Sequence, residues 1–345
     1  GGTSNKWNGV VTRFFETDLR TRSEFGIFDD WPMAYDDVRA YYPAAERALS
    51  LVPTAGPTGL PAELAEWEFM FMPFSHDSSG MPVRLGQREA LRLARSDRGT
   101  LLSHRPVTRI CPADETRISH VETRAPDGAV EAVRARHFVI AAGVFETVRL
   151  LLVSRSPAFP AGIGNGRGLV GRHTHAHPRF RFHLPRPPRL RHTPGIYRSY
   201  ALAADFRRKG LGAICADTNL HPDPITVDVT VETEPSMANR IDLVGERLDA
   251  WGRPVPVLVS EWTELDRRTL ARARGVHETL AHALLGHQGP LPPPELTWFH
   301  PAGGCRMGAD ERRGVVDTHG RVFGLQNLFV LGASVFPTSG PTNPT

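Results

Sequence analysis

The chain has 345 residues, 40% of them hydrophobic and 23% charged, the balance of a globular protein long enough for about two domains. No run of about 18 apolar residues occurs, so no membrane span is expected, and Cys111, Cys215 and Cys305 form no CxxC or other metal spacing, an odd and patternless set that argues against a disulfide framework. The net charge is only +4, lysine occurs only at Lys6 and Lys209, and the many arginines lie scattered among acids, which reads as coding bias rather than an anion-binding surface and leaves no nucleic-acid footprint.

The N-terminal stretch Gly1-Gly2-Thr3-Ser4-Asn5-Lys6-Trp7-Asn8-Gly9 combines glycines, small hydroxyl residues and one tryptophan. Standing alone it reads as a plain loop, whose exposed amides would also suit an anion or the polar edge of a ring system. After Asp30-Trp31-Pro32, the acidic pair Asp36 and Asp37 opens a helix in which Val38, Tyr41, Tyr42, Ala45 and Leu49 recur at helical spacing, predicting an aromatic stripe that faces the core. Residues 50–85 are rich in proline, glycine and aromatics and read as loops with short extended pieces lining a pocket or lid. His76 lies among them without a partner and reads as solvated. A helix is expected over 87–95.

The period then changes. Residues 101–110, 118–124 and 130–142 are three strand-like runs, the last two joined by the hairpin signal Pro126-Asp127-Gly128. The third run ends Phe138-Val139-Ile140-Ala141-Ala142-Gly143 and gives way to a helical pattern over 145–152. Strand, glycine turn and helix is the order in which α/β folds bring backbone beside a nucleotide. His173, His175 and His177 alternate and would share one face of a strand, but no fourth ligand is evident and no metal is expected. Runs at 179–184, 213–220, 225–232 and 240–244 predict an antiparallel sheet. A long helix follows over 265–285, and Gly289-Pro290-Leu291-Pro292-Pro293-Pro294 forms a stiff connection.

Most of the chemistry is concentrated after Trp298. The text runs His300-Pro301-Ala302-Gly303-Gly304-Cys305-Arg306-Met307-Gly308, then Val315-Val316-Asp317, then Asn327-Leu328-Phe329-Val330-Leu331-Gly332-Ala333-Ser334-Val335-Phe336-Pro337-Thr338, and closes on Asn343-Pro344-Thr345. The apolar run 328–331 ending at Gly332-Ala333-Ser334 reads as a buried parallel-type strand followed by a turn where backbone passes close to a large cofactor. His300, between an aromatic pair and a proline, is expected on a loop. A neutral imidazole is a natural base, and the amide of Asn343 can hold a hydroxyl without titrating, so the two form an alcohol-handling pair.

This tail resembles the C-terminal region of the glucose-methanol-choline (GMC) flavoprotein oxidoreductases. Their motif reads His-Pro-x-Gly-Thr-x-Arg-Met-Gly, Val-Val-Asp and Asn-Leu-Phe-Val-x-x-Ala-Ser-Val-Phe-Pro-Thr. The Gly1 to Trp7 loop, the Trp31-Pro32 to Tyr42 segment, the Ala141-Ala142-Gly143 element and Val170-Gly171-Arg172 to His177-Pro178 are similar to further family segments. The resemblance implies an α/β (α+β) fold. An incomplete Rossmann-like FAD-binding domain would take residues 1–28, 100–178 and 298–345, and an antiparallel-sheet cap or substrate-binding domain 29–99 and 179–297.

It also implies that His300 is the catalytic base and Asn343 its partner. The FAD contacts it implies are Gly2, Thr3, Ser4, Asn5 and Trp7 at the flavin ring, Val107 near the adenine, then Ala142 and Gly143, Gly332 and Ala333, and Pro344 and Thr345. Some family members attach flavin covalently to a histidine where this chain has Lys6, so noncovalent FAD is expected. Gly304 stands where the family usually has threonine, and no Gly-x-Gly-x-x-Gly element for the FAD pyrophosphate is found. The chain is therefore expected to be a fragment running from the flavin-ring loop to the final motif, after which the family has a helix.

The implied function is FAD-dependent oxidation of an alcohol, a sugar, polyol, sterol or similar CH-OH donor, by proton abstraction and hydride transfer to flavin N5. A dehydrogenase ranks ahead of an oxidase, with oxygen, a quinone or a cytochrome as the open choices of electron acceptor. Localisation is left open between cytoplasm, slightly ahead, and periplasm. The competing reading is a noncatalytic remnant of the same fold acting as a binding or scaffold protein. The presence of both His300 and Asn343 favours the enzyme.

Overall fold

The computed structural model describes residues 7, 9–52, 62–72, 74–75, 81–188, 190, 196–220 and 223–343. Its largest element is a six-stranded sheet in the order Glu295–Ala302, His175–Leu184, Ile225–Val231, Ile214–Asn219, Ile196–Ser199, Met70–Phe71, with every neighbouring pair antiparallel. Nearly every residue of the central strand Ile225–Val231 is buried, so both faces of the sheet are covered rather than one. The helix Glu264–Leu285 covers one face with a stripe that includes Ala273, His277, Leu280, Ala281 and Leu284, the spacing of a single apolar helix side. Thr263 caps its first turn by accepting from the Asp266 amide at 3.1 Å, and Gly286 ends it at φ +75°.

A second core gathers around two parallel strands, Phe138–Ile140 and Leu328–Val330, and the helix Val144–Val153. The three-stranded antiparallel sheet Val107–Pro112, Ile118–Arg124, Val130–Arg134 packs on it through Ile110 and Ile118. Asn327 stitches the two sheets together: its Oδ1 accepts from the Ile118 amide at 2.8 Å and its Nδ2 donates to the Ile118 and Arg136 carbonyls at 2.9 and 3.2 Å. The hairpin pair Arg240–Leu248 and Pro254–Val259 contributes Ile241 to the same core. The architecture is thus mixed α/β with antiparallel sheets.

Several sequence expectations need correction. The helix expected after Asp36 is two short ones, Tyr35–Arg39 and Tyr42–Ala48, because Pro43 enters the first turn of the second and has no N–H to continue the first. Neither has a buried residue and Tyr41 is 72% exposed, so the aromatic stripe does not face the core. Of the run 101–110 only its end is strand, within Val107–Pro112, and Leu101 and Leu102 lie exposed. The run 130–142 divides between two sheets, Val130–Arg134 in the three-stranded one and Phe138–Ile140 in the parallel pair. The strands Ile196–Ser199, Pro254–Val259 and Glu295–Ala302 had no counterpart in the sequence reading. His76 lies outside the described residues.

Candidate active site

His300 does not sit on a loop. It lies in the strand Glu295–Ala302, whose pairing with His175–Leu184 is regular up to Phe299 opposite His177 and then shifts before Ala302. At this irregularity His300 adopts φ +59°, a left-handed conformation that non-glycine residues hold only when surrounding contacts over-determine it. The turn brings its ring edge-on to His177, with centroids 5.4 Å apart and Nδ1 to Nδ1 at 3.2 Å. His177 Nε2 in turn lies 2.8 Å from both Ser339 Oγ and the Gly340 carbonyl.

Asn343 is placed by a different group. Its Oδ1 accepts from Arg198 Nη1 at 3.0 Å, and Arg198, buried in the six-stranded sheet, is clamped by Asp217 through bonds of 2.5 and 2.8 Å. The Tyr200 hydroxyl accepts from Arg198 at 3.2 Å, and burial raises its pKa despite that cation. The Cys215 thiol donates to the Pro341 carbonyl at 3.1 Å, and burial pushes it up to about 12, so it stays a thiol. The segment 339–343 is therefore laid across four consecutive strands of one sheet, held by His177 at one side and by Cys215 and Arg198 at the other, with Ile225–Val231 between them. Among the described residues no bond joins His300 to Asn343 directly.

Charge is excluded from the histidines. Burial first, then His177 and the positive Arg198 and Arg179, lower the pKa of His300 to about 2. Burial, followed by His175, lowers His177 to about 3, and burial lowers His175 to about 4. The alternating trio does not converge on one point: His173 Nδ1 meets the Pro235 carbonyl at 2.7 Å, His175 Nδ1 meets the His173 carbonyl at 3.0 Å, and only His177 reaches the site. The described residues instead gather Cys111, His120 and Glu122, with donor atoms within 4.8 Å of one another. Cys111 stands opposite His120 across two strands, a trio whose only sequence signal is strand register.

The glycine turns named as cofactor contacts fall side by side. Gly143 at φ +80° and Gly332 at φ +89° follow the parallel strands Phe138–Ile140 and Leu328–Val330, and each opens a helical turn. A Cβ built at either would meet nothing within 4 Å, and Ala142, Val139 and Leu331 around them are exposed. An open backbone cradle at the carboxyl ends of parallel strands is where α/β folds take a nucleotide, so these residues fit FAD. Ala333 packs against the core and its carbonyl accepts from Gly303 at 3.0 Å. Trp7 donates from Nε1 to the Val83 carbonyl at 2.8 Å. Val107 begins its strand opposite Thr123 and accepts from Arg253 at 3.2 Å. Gly2, Thr3, Ser4, Asn5, Lys6, Pro344 and Thr345 lie outside the described residues.

The fold is shared with solved oxidoreductase structures. An FAD-dependent oxidoreductase from Chaetomium thermophilum has the same fold at a TM-score of 0.65 and 12% identity, over 100% of this chain and 83% of that one. So does pyridoxine 4-oxidase from Mesorbium loti, at 0.69 and 18%, over 97% and 78%. Residues 235–345 match the family model described as GMC oxidoreductase. Among the chain's relatives, fructose dehydrogenase large subunit of Gluconobacter japonicus is 24% identical over 100% of this chain and 77% of its own length. Paromamine 6'-oxidase of Streptomyces fradiae is 32% identical over 62% of this chain and 43% of its own length. Pyridoxine 4-oxidase of Microbacterium luteolum is 27% identical over 68% and 54%, so the chain spans about half the length of these last two.

Proposed function

We propose that this chain forms the substrate side of an FAD-dependent oxidoreductase that oxidises a CH-OH group of a sugar, polyol, sterol or similar alcohol. His300 takes the hydroxyl proton and Asn343 holds the oxygen. The observation that carries this reading is the placement of the two side chains: the left-handed backbone at the strand irregularity turns the His300 ring onto His177, while Arg198 of the same sheet holds the Asn343 amide oxygen, and burial leaves the His300 ring neutral with a lone pair to offer. The relatives named for fructose, paromamine and pyridoxine support an alcohol as the substrate class.

FAD, when bound, would supply the hydride acceptor. Ala142, Gly143, Gly332 and Ala333 would hold it, together with Gly2 to Asn5, Trp7, Val107, Pro344 and Thr345 by family pattern, and Lys6 in place of a histidine favours noncovalent attachment. Arg198 is only a donor, so the Asn343 atom that faces it is the amide oxygen, which leaves the NH2 to donate to a substrate oxygen. Arg198 is itself neutralised by Asp217 and offers no charge to an anionic substrate. The two-domain division follows the sequence reading, with the six-stranded sheet as the substrate wall.

A dehydrogenase is favoured because two relatives matched over the whole chain, fructose dehydrogenase large subunit and 2-methyl-1,2-propanediol dehydrogenase of Mycolicibacterium austroafricanum, carry that name. The test is an absorption spectrum of the protein expressed from its full reading frame, before and after acid precipitation, followed by an alcohol panel with dye and oxygen as acceptors. Flavin released to the supernatant and dye-linked turnover are expected. Colour retained in the pellet would overturn noncovalent attachment, and a folded protein that takes up no added FAD would overturn the function.

A further inference from the structure

We propose that His177 is a positioning residue that fixes the tautomer of His300, so that His300 presents a bare Nε2 to the substrate. The inference rests on the proposed role of His300 and deepens it. The Gly340 carbonyl can only accept, so at 2.8 Å from His177 Nε2 it requires a hydrogen on that nitrogen. Ser339 Oγ, equally close, shares the same hydrogen as a second acceptor. Burial keeps the His177 ring neutral, so its other nitrogen, Nδ1, carries a lone pair.

That lone pair faces His300 Nδ1 at 3.2 Å. A contact of this length between two ring nitrogens needs one hydrogen between them, and only His300 can supply it. His300 is neutral as well, so its single hydrogen is committed to His177 and Nε2 is left as an acceptor. Among the described residues nothing bonds to Nε2. The relay runs from a main-chain carbonyl through His177 to His300, in the manner of a base whose tautomer is set by a partner behind it.

The consequence is a site of defined polarity. His300 offers one acceptor and the Asn343 NH2 one donor, the complement of a hydroxyl group, which donates once and accepts. A carbonyl oxygen accepts only, and would leave the His300 lone pair without a hydrogen. The relay therefore favours the alcohol over its oxidised product at the same position.

The test reads the tautomer directly, in the full chain with 15N-labelled imidazoles, by long-range proton–nitrogen correlation from pH 5 to 9, with His300 assigned by its loss in His300→Gln. The expected result is one tautomer throughout, hydrogen on Nδ1. His177→Phe, which fills similar space without an acceptor, is expected to release that preference and to lower kcat with little change in KM. His177→Gln, whose amide can accept and donate at the two ends, is expected to restore both. A hydrogen on His300 Nε2 in the unaltered protein would overturn the proposal, and so would an unchanged tautomer in His177→Phe. Should His177→Phe fail to fold, the unaltered protein and His177→Gln still decide. Because no turnover is needed, a protein with the expected tautomer that oxidises no alcohol would refute the function and leave the relay standing.

Discussion

Arg207 is the test of how this fold tolerates buried charge close to its candidate site. It is 2% exposed and makes ion pairs with Asp18 at 2.7 Å and Glu232 at 2.9 Å, both carboxylates being equally buried. Replacing it in Arg207→Met keeps much of the side-chain volume and leaves two buried carboxylates without their cation. Removing one partner of such an arrangement costs about 3–5 kcal/mol. At roughly 2 °C per kcal/mol, the lower end for chains of about 150–250 residues, the melting temperature should drop by about 6–10 °C.

The dependence on pH supplies the sharper test. Burial already raises the Asp18 pKa above its ordinary value of 3.8, against the opposing pull of Arg207. Without Arg207 it would rise further. A carboxyl whose folded pKa lies above its unfolded one adds no penalty while protonated and destabilises the fold as pH climbs through the folded value. The deficit of the variant relative to the unaltered protein should therefore be largest near pH 8 and shrink toward pH 5. Urea unfolding of both proteins at the two pH values measures it. A deficit under about 1 kcal/mol, well short of the cost of a broken buried pair, or one equal at both pH values, would refute the reasoning.

Acid should weaken the unaltered protein steeply. His175, His177 and His300 have ordinary pKa values of 6.5 and folded values of about 4, 3 and 2. The unfolded chain thus binds protons that the fold refuses, and stability is lost as pH falls below about 6.5, by up to about 1.4 kcal/mol per pH unit for each; a urea midpoint constant from pH 7 to 5 would contradict this. His300→Gln and Asn343→Ala should each lower alcohol turnover by about 10²- to 10⁴-fold for the base and less for the amide, while thermal melting moves little. Asn327→Ala should cost about 2–4 kcal/mol in denaturant melts, because it leaves the buried Ile118 amide and carbonyl unpaired between two sheets. A loss near zero would mean that water replaces the amide.

What was legible in the sequence was what local pattern determines. The helix Glu264–Leu285 and the strand Ile118–Arg124 follow their periodicity closely, and the Pro126-Asp127-Gly128 signal forms the turn it predicts, with Gly128 at φ +89°. Elsewhere tertiary contact decided. Phe138–Ile140 continues the apolar text of Val130–Arg134, yet it pairs with Leu328–Val330, nearly two hundred residues away in sequence. The candidate site divides in the same way. His300 and Asn343 stand out by residue type and motif, whereas His177 reads only as one of three alternating histidines. What distinguishes it is a contact across 123 residues to His300 and another across 163 to Gly340.

The segment 338–343 explains why those distant contacts matter. Thr338 accepts from Trp31 Nε1 at 2.8 Å, Gly340 and Ser339 meet His177, Pro341 takes the Cys215 thiol and Asn343 takes Arg198. Gly340 adopts φ +57°, and a Cβ there would lie 3.1 Å from the Asp18 carboxyl carbon, so both its conformation and its space favour glycine. That same carboxyl group is the one held by Arg207. The buried ion pairs thus lie beside the backbone turn whose carbonyl meets His177. It follows that Arg207→Met should alter the His300 tautomer preference as well as stability, whereas Asn327→Ala, acting in the other core, should alter stability alone.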